Sequence, residues 1–181
     1  MRRIIAGLFV TLDGVMEAPE DWQFPYWSDE EAEAVGASLM TAETLLLGRR
    51  TYEIFAASWP QRGSEVPFAD KLNSMPKVVV SSTLDRAGWN NTTVLRGDAA
   101  QEVAALKRGP GGDIAISGSA TLVRSLLRDR LLDELRLLVH PIVLGKGARL
   151  FQDGDQVPLR LLDSKAFGTG VLSLAYGPAE G

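Results

Sequence analysis

The chain has 181 residues, 45% of them hydrophobic and 23% charged, which supplies one well-filled core and leaves too little length for two generous ones. Nineteen Lys and Arg against 23 Asp and Glu give a formal charge of −4, so there is no net positive field to hold a polyanion, and neither nucleic-acid nor membrane partners are expected. With no cysteine and a single histidine, His140, the chain lacks the means for disulfide frameworks, thiolate nucleophiles and Cys-based or His-rich metal sites. No metal is expected, a reducing, cytoplasmic setting fits, and any serine-hydrolase triad would hang on His140 alone.

Strand-like apolar runs alternate with helical segments along the chain, the pattern of an α/β fold with a mainly parallel sheet. Arg3 to Leu12 is the first strand. It ends in Asp13-Gly14 without a small-residue cleavage site, so it reads as a buried strand and not a leader peptide. No apolar stretch reaches the roughly 20 residues of a membrane-crossing helix. A loop rich in Pro, Trp and acidic residues, Glu17 to Trp27, precedes Ser28-Asp29-Glu30-Glu31, which caps a helix running to Thr41 or Ala42 and places negative charge at its positive end.

Thr44 to Leu47 predicts an interior strand covered on both faces. It ends at Gly48-Arg49-Arg50-Thr51, where Thr51 is positioned to cap a helix through Ala57, stopped by Trp59-Pro60. Lys77 to Val80 is the next strand, followed by Ser81-Ser82, a polar loop from Asp85 to Thr92 and a short strand over Thr93 to Leu95. Asp98 and Gln101 have capping-box spacing at the head of a helix that Gly109-Pro110 ends at Arg108. After the strand Asp113 to Ser117, the turn Gly118-Ser119 opens a helix whose Leu122, Val123, Leu126 and Leu127 share one face.

Leu135 to Val139 and Ile142 to Leu144 predict a strand interrupted at Pro141, with His140 a packed or edge residue. Leu159 to Phe167 and Val171 to Tyr176 flank Gly168-Thr169-Gly170 as an antiparallel hairpin. No repeat or linker divides the chain, so residues 1–181 are expected to form a single domain.

Three strands end in small or polar turns: Gly48-Arg49-Arg50-Thr51, Ser81-Ser82, and Ser117-Gly118-Ser119-Ala120-Thr121. In a parallel sheet these gather at the carboxyl edge, where helix N–H groups favour phosphate, and adjacent guanidinium groups at Arg49 and Arg50 suit a pyrophosphate or an extra ribose phosphate. Each turn also has an ordinary structural reading. A glycine-rich Rossmann fingerprint is missing, because Gly109, Gly111 and Gly112 precede a strand. A P-loop fails as well, since His140 stands where its first glycine belongs and Gly147 follows Lys146.

Leu12-Asp13-Gly14, Leu46-Leu47-Gly48-Arg49-Arg50-Thr51-Tyr52, Val80-Ser81-Ser82, Ile116-Ser117-Gly118-Ser119, and Leu132-Asp133-Glu134-Leu135 ahead of Val143-Leu144-Gly145 occur in the order seen in the dihydrofolate reductase superfamily. The chain resembles most its branch containing the reductase domain of the bifunctional riboflavin-biosynthesis deaminase-reductase. That resemblance implies a three-layer α/β/α fold around a mixed, mostly parallel sheet with a C-terminal antiparallel hairpin, NADPH as hydride source, and often a homodimer; Leu135 to Leu144 and the hairpin are the candidate subunit contacts in the sequence. It places Gly48, Arg49 and Thr51 on the cofactor phosphates, Arg49 or Arg50 on the 2′-phosphate, Ser81 and Ser82 on the adenosine side, and Gly118, Ser119, Ala120 and Thr121 on the pyrophosphate. The nicotinamide would lie against Leu8 and the loop from Asp13. By the same resemblance Asp29 or Glu30 stands near the acidic position that grips pterin in folate reductases. The deaminase half has no zinc-ligand cysteine here, so only the reduction step is expected.

Hydride transfer suits this composition, because the cofactor carries the redox chemistry while protein groups align, exclude water and supply a proton. The expected acceptor is a C=N or C=O carbon of a small heterocycle, pyrimidine-like as in 5-amino-6-(5-phosphoribosylamino)uracil reduction, or pterin-like. Asp13, Glu17 or a held water would assist protonation, although Asp13-Gly14 is equally a common turn. Trp22, Phe24, Tyr26 and Trp27 either stack on a planar ring or pack their loop against the core. The alternatives are a true dihydrofolate reductase and a non-catalytic NADP-binding or sensory protein.

Overall fold

The computed structural model describes residues 1–179. Its strands are β1 (Ile4–Thr11), β2 (Ala42–Gly48), β3 (Lys77–Val80), β4 (Thr92–Leu95), β5 (Asp113–Ile116), β6 (Glu134–His140), β7 (Leu159–Ala166) and β8 (Leu172–Pro178). Its helices are α1 (Asp29–Thr41), α2 (Arg49–Ser58), α3 (Ala69–Ser74), α4 (Ala99–Arg108) and α5 (Ala120–Arg128). The strands form one sheet in the order β4-β3-β2-β5-β1-β6-β8-β7. The first six in that order run parallel, and β8 is antiparallel to both β6 and β7. The mixed, mostly parallel α/β sheet with its C-terminal hairpin is as the sequence predicts.

Side chains alternate between two helical layers, as strand geometry requires. Ile4, Ala6, Leu8 and Val10 of β1, with Leu46, Ile114, Ile116 and Leu135, pack against Val103 of α4 and Leu122, Val123, Leu126 and Leu127 of α5. On the opposite face Leu45, Leu47 and Val79 meet Leu39 of α1, Tyr52 of α2 and Leu72 of α3. Burying each such Leu, Ile or Val contributes about 1.5–3 kcal/mol, so the two layers supply the main force holding the sheet between them.

Local capping follows the sequence closely. The Asp98 side chain accepts from Gln101 N at 2.9 Å, and Ser28 and Ser119 cap α1 and α5 through Glu31 N and Leu122 N.

Four local expectations need correction or completion. Helix α2 begins at Arg49 with Gly48 as its N-cap, so Thr51 lies inside the first turn and caps nothing. Ile142 to Leu144 leave the sheet: Pro141 has no N–H to donate, and the chain folds back with Ile142 N donating to the His140 carbonyl at 2.8 Å. The loop from Glu17 to Trp27 contains two short 3-10 turns, Pro19–Asp21 and Phe24–Tyr26. Helix α3, absent from the sequence reading, is ended by the buried Lys77, whose Nζ donates to the Leu72 and Met75 carbonyls at 2.8 Å each and sits 4.3 Å over the Trp89 ring. Burial pushes this ammonium down to about 8.

Candidate cofactor and substrate site

Strands β2 and β5 are neighbours and parallel, yet the helices that follow them leave to opposite faces, α2 to the Leu45 side and α5 to the Leu46 side. Such a divergence opens a crevice at the carboxyl edge of the sheet. Here the two exits are pressed together. Gly48 N donates to the Gly118 carbonyl at 3.2 Å, a Cβ on Gly48 would fall 2.4 Å from Ser119 Oγ, and one on Gly118, whose φ is +138°, would fall 2.6 Å from Thr51 Oγ1. Both glycines are therefore demanded by close approach, and the result is two helix N-termini side by side. No side chain among the described residues caps α2, so its first amides are directed at whatever binds there.

The basic and hydroxyl groups around this crevice divide the work. Arg49 Nη1 donates to Thr83 Oγ1 at 2.6 Å and its Nε to Glu53 at 2.8 Å, which turns Arg49 toward the loop after β3. In that loop Ser81 is buried and its Oγ accepts from Thr83 N and Leu84 N, while Ser82 is exposed. Arg50 points the other way, donating from Nη2 to Glu17 Oε1 at 2.9 Å. Ala120 and Thr121 form the first turn of α5, beside Gly118 and Ser119. The structure thus brings Gly48, Arg49, Arg50, Thr51, Ser81, Ser82, Gly118, Ser119, Ala120 and Thr121 to one edge.

At the end of β1 the chemistry is different. Asp13 accepts from Thr11 Oγ1 at 2.6 Å, from Gly145 N at 2.8 Å and from Leu144 N at 3.2 Å. The Thr11 hydroxyl, and then the Gly145 amide, hold its carboxyl down at about 2, so it is ionised at neutral pH and carries no proton to deliver. Glu17 is also engaged: Oε2 accepts from Ala148 N at 2.9 Å while Oε1 takes Arg50, and these donors, the Ala148 amide first, lower its pKa below the usual carboxylate value. The main chains of the two loops are joined by Met16 N donating to Ala148 O and Leu150 N to Gly14 O, both at 2.9 Å. Residues 12–17 and 142–150 form one zipped unit over the ends of β1 and β6.

The other expected groups are spread out. Leu8 is buried in the α5-side core, so its side chain does not line an open cleft. Trp22 is buried too, its Nε1 donating to the Glu17 carbonyl at 3.0 Å; Phe24 is 63% exposed and Trp27 lies at the surface. Asp29 is exposed, and Glu30 reaches outward, accepting from Gly168 N at 3.0 Å with Lys165 Nζ 3.4 Å away; the Gly168 amide chiefly lowers its pKa.

The acid that does face inward is the next residue. Glu31 is fully buried, with Oε1 2.9 Å from Nε2 of the equally buried His140. His140 Nδ1 lies 3.0 Å from the Leu138 carbonyl, and Phe9, Trp22 and Tyr26 surround the imidazole with ring centroids 5.9, 5.1 and 5.7 Å away. The contact is one of proximity: among the described residues both Glu31 oxygens and His140 Nε2 are buried without a hydrogen-bond partner, so the two groups are close but not satisfied. The Ser28-x-x-Glu31 spacing was visible in the sequence, but it reads as a cap with a solvated acid. Nothing local links it to a histidine on β6.

A profile of the RibD C-terminal domain matches residues 2–173. The chain belongs to the RibD C-terminal domain family. It is 32% identical over 181 residues to the uncharacterized protein YyaP of Bacillus subtilis (strain 168), covering 97% of this chain and 94% of that one. Among solved structures it is similar to one titled "Putative riboflavin biosynthesis protein" from Shewanella sp. PV-4, with TM-score 0.77, 19% identity, and 99% and 100% of the two chains covered. It is similar as well to a dihydrofolate reductase from Enterococcus faecalis complexed with NADP(H) and RAB-propyl, with TM-score 0.61, 17% identity, and 98% and 97% covered. The fold is therefore dihydrofolate reductase-like. Among the described residues no helix is long and apolar enough to cross a membrane.

The residues at the β2–β5 crevice fit the nicotinamide dinucleotide implied by this family. Two adjacent helix N-termini, two guanidinium groups and an exposed serine form a donor set for phosphate oxygens, and the glycines leave the backbone bare where such a chain of phosphates would lie.

Proposed function

We propose that this RibD C-terminal domain protein is an NADPH-dependent reductase that delivers hydride to a C=N or C=O carbon of a small heterocycle. The observation that carries the reading is the pressed pair of turns at Gly48 and Gly118, which sets the N-termini of α2 and α5 side by side, with Arg49 and Arg50 on the first turn of α2. In this reading the amides of Arg49 to Thr51 and of Ala120 and Thr121 bind the pyrophosphate. Arg49, turned toward Thr83 and Ser82, takes the 2′-phosphate. When bound, the nicotinamide supplies the hydride.

The substrate enters beside the zipped loops, with exposed Phe24 and Trp27 at the rim to stack on a planar ring. Asp13 fixes the loop and stays ionised, so the proton reaches the reduced atom from a water held at the mouth. The inward acid Glu31 is fully buried beside His140 and open to no ring, which favours a substrate with no need of a carboxylate clamp, pyrimidine-like and not pterin-like. The reading includes a cytoplasmic location, supported by the cysteine-free composition. It also includes pairing of two copies through the hairpin, supported by the exposed Leu161, Leu162 and Leu172.

Calorimetric titration with NADPH, followed by cofactor-oxidation assays over pyrimidine, pterin and simple carbonyl acceptors, tests this reading. Expected are binding and oxidation with a pyrimidine-type acceptor. Turnover confined to dihydrofolate would make the protein a dihydrofolate reductase, tight binding without turnover on any acceptor would make it a cofactor-binding protein, and absence of binding would end the proposal.

A further inference from the structure

Glu17 has both carboxylate oxygens in use, and they serve different parts of the molecule. Oε1 accepts from Arg50 Nη2, on the first turn of α2, and Oε2 accepts from the Ala148 amide in the 142–150 loop, each at 2.9 Å. Arg50 is the more weakly held partner. Its side chain is 73% exposed, and among the described residues only its Nη2 has a hydrogen-bond acceptor. The remaining N–H groups of the guanidinium fork are free for a second anion.

We propose that Glu17 is a positioning residue that couples cofactor occupancy to the 142–150 loop, with Arg50 bridging between Glu17 and a cofactor phosphate. The inference rests on the proposed cofactor site. Its physical basis is entropic. An exposed ion pair between two long side chains is nearly neutral, because the attraction is offset by the freedom lost in holding them together. A phosphate on the open edge of Arg50 already immobilises that side chain, so the contact with Glu17 then costs less. The tightened carboxylate in turn holds the Ala148 amide.

By linkage the effect is reciprocal: a loop held by Glu17 presents Arg50 ready for phosphate. The rest of the loop does not depend on this contact. Asp13 still receives the Leu144 and Gly145 amides, and the main-chain bonds through Met16 and Leu150 remain, so removing the Glu17 charge leaves the fold in place.

Hydrogen–deuterium exchange of the segment spanning residues 144–150, measured with and without NADPH, tests the coupling without any activity assay. In the wild type, NADPH is expected to slow exchange of this segment by on the order of fivefold. Glu17→Gln is expected still to bind NADPH by calorimetry but to lose that cofactor-dependent protection, and Arg50→Lys, with a single-point ammonium in place of the fork, to lose it together with part of the binding. A merely structural Glu17 would raise exchange equally in the free and bound states and leave the protection factor unchanged in Glu17→Gln. That result overturns the coupling while leaving the cofactor site standing. Absence of NADPH binding to the wild type overturns both.

Discussion

Two stretches of the same sheet edge are built on opposite terms. Around β2 and β5 donors face outward: the first amides of α2, which no side chain among the described residues caps, an exposed serine, and two arginines with N–H groups to spare beyond their contacts with Glu53, Thr83 and Glu17. Around β1 and β6 the acids are turned to the protein itself: Asp13 accepts from Thr11, Leu144 and Gly145, Glu17 accepts from Arg50 and Ala148, and Glu31 is sealed inside, 2.9 Å from His140 Nε2 without a hydrogen bond. An edge with donors to spare is a place where an anion gains hydrogen bonds on arrival. An edge whose acids are held by the protein or sealed inside it is a scaffold.

The strongest way to break this contrast is to unpair the buried acid. His140→Ala leaves the Glu31 carboxylate without its partner in an apolar cage, and a loss of about 3–5 kcal/mol in urea-unfolding stability is expected. The double variant Glu31→Leu/His140→Phe should recover much of that loss; equal instability of single and double variants would show that the pair is not what matters. Next in size, Gly48→Ala drives a methyl group into Ser119 and forces the two turns apart. NADPH affinity should fall at least about tenfold, near 1.4 kcal/mol, by calorimetry, with little change in unfolding midpoint relative to that in binding.

Arg49→Gln sharpens the assignment within the donor edge. If Arg49 meets the 2′-phosphate, affinity for NADPH should drop by about tenfold while affinity for NADH stays the same, and parallel losses would move the 2′-phosphate elsewhere. The smallest effect concerns acid stability. Because the Asp13 pKa is depressed from 3.8 to about 2 in the folded state, its contribution to stability is present in full above 3.8 and is lost as pH falls toward 2. Asp13→Asn should flatten that part of the acid-unfolding curve, read from thermal midpoints across the interval; an unchanged curve would remove the carboxylate from the loop's support.

Much of the fold was legible because its signals are short-ranged. Asp98 with Gln101, Ser119 ahead of Leu122, and the apolar spacing of α5 each operate within one or two helical turns, and all formed as read. Thr51 misled because a hydroxyl near a helix start suits a cap, whereas Gly48 took that place so that its backbone could approach Ser119. Ile142 to Leu144 have strand-like side chains, but Pro141 breaks the ladder before them. The meeting of three polar turns at one sheet edge could be read from their strand ends. The surroundings of β1 and β6 could not: Asp29, Glu30 and Glu31 are indistinguishable as cap acids, and only proximity to β6 makes one of them an interior residue.

Alternation of period two, helical stripes, caps and glycines at strand ends settle the order of elements and the parallel sheet, since those features are decided by neighbours a few residues away. Which acid is sealed in, which arginine turns toward which loop, and which carboxylates are left to react depend on segments that are distant in the chain and meet only after folding. Desolvation and hydrogen-bond satisfaction are properties of that meeting, and there the tertiary structure alone decides.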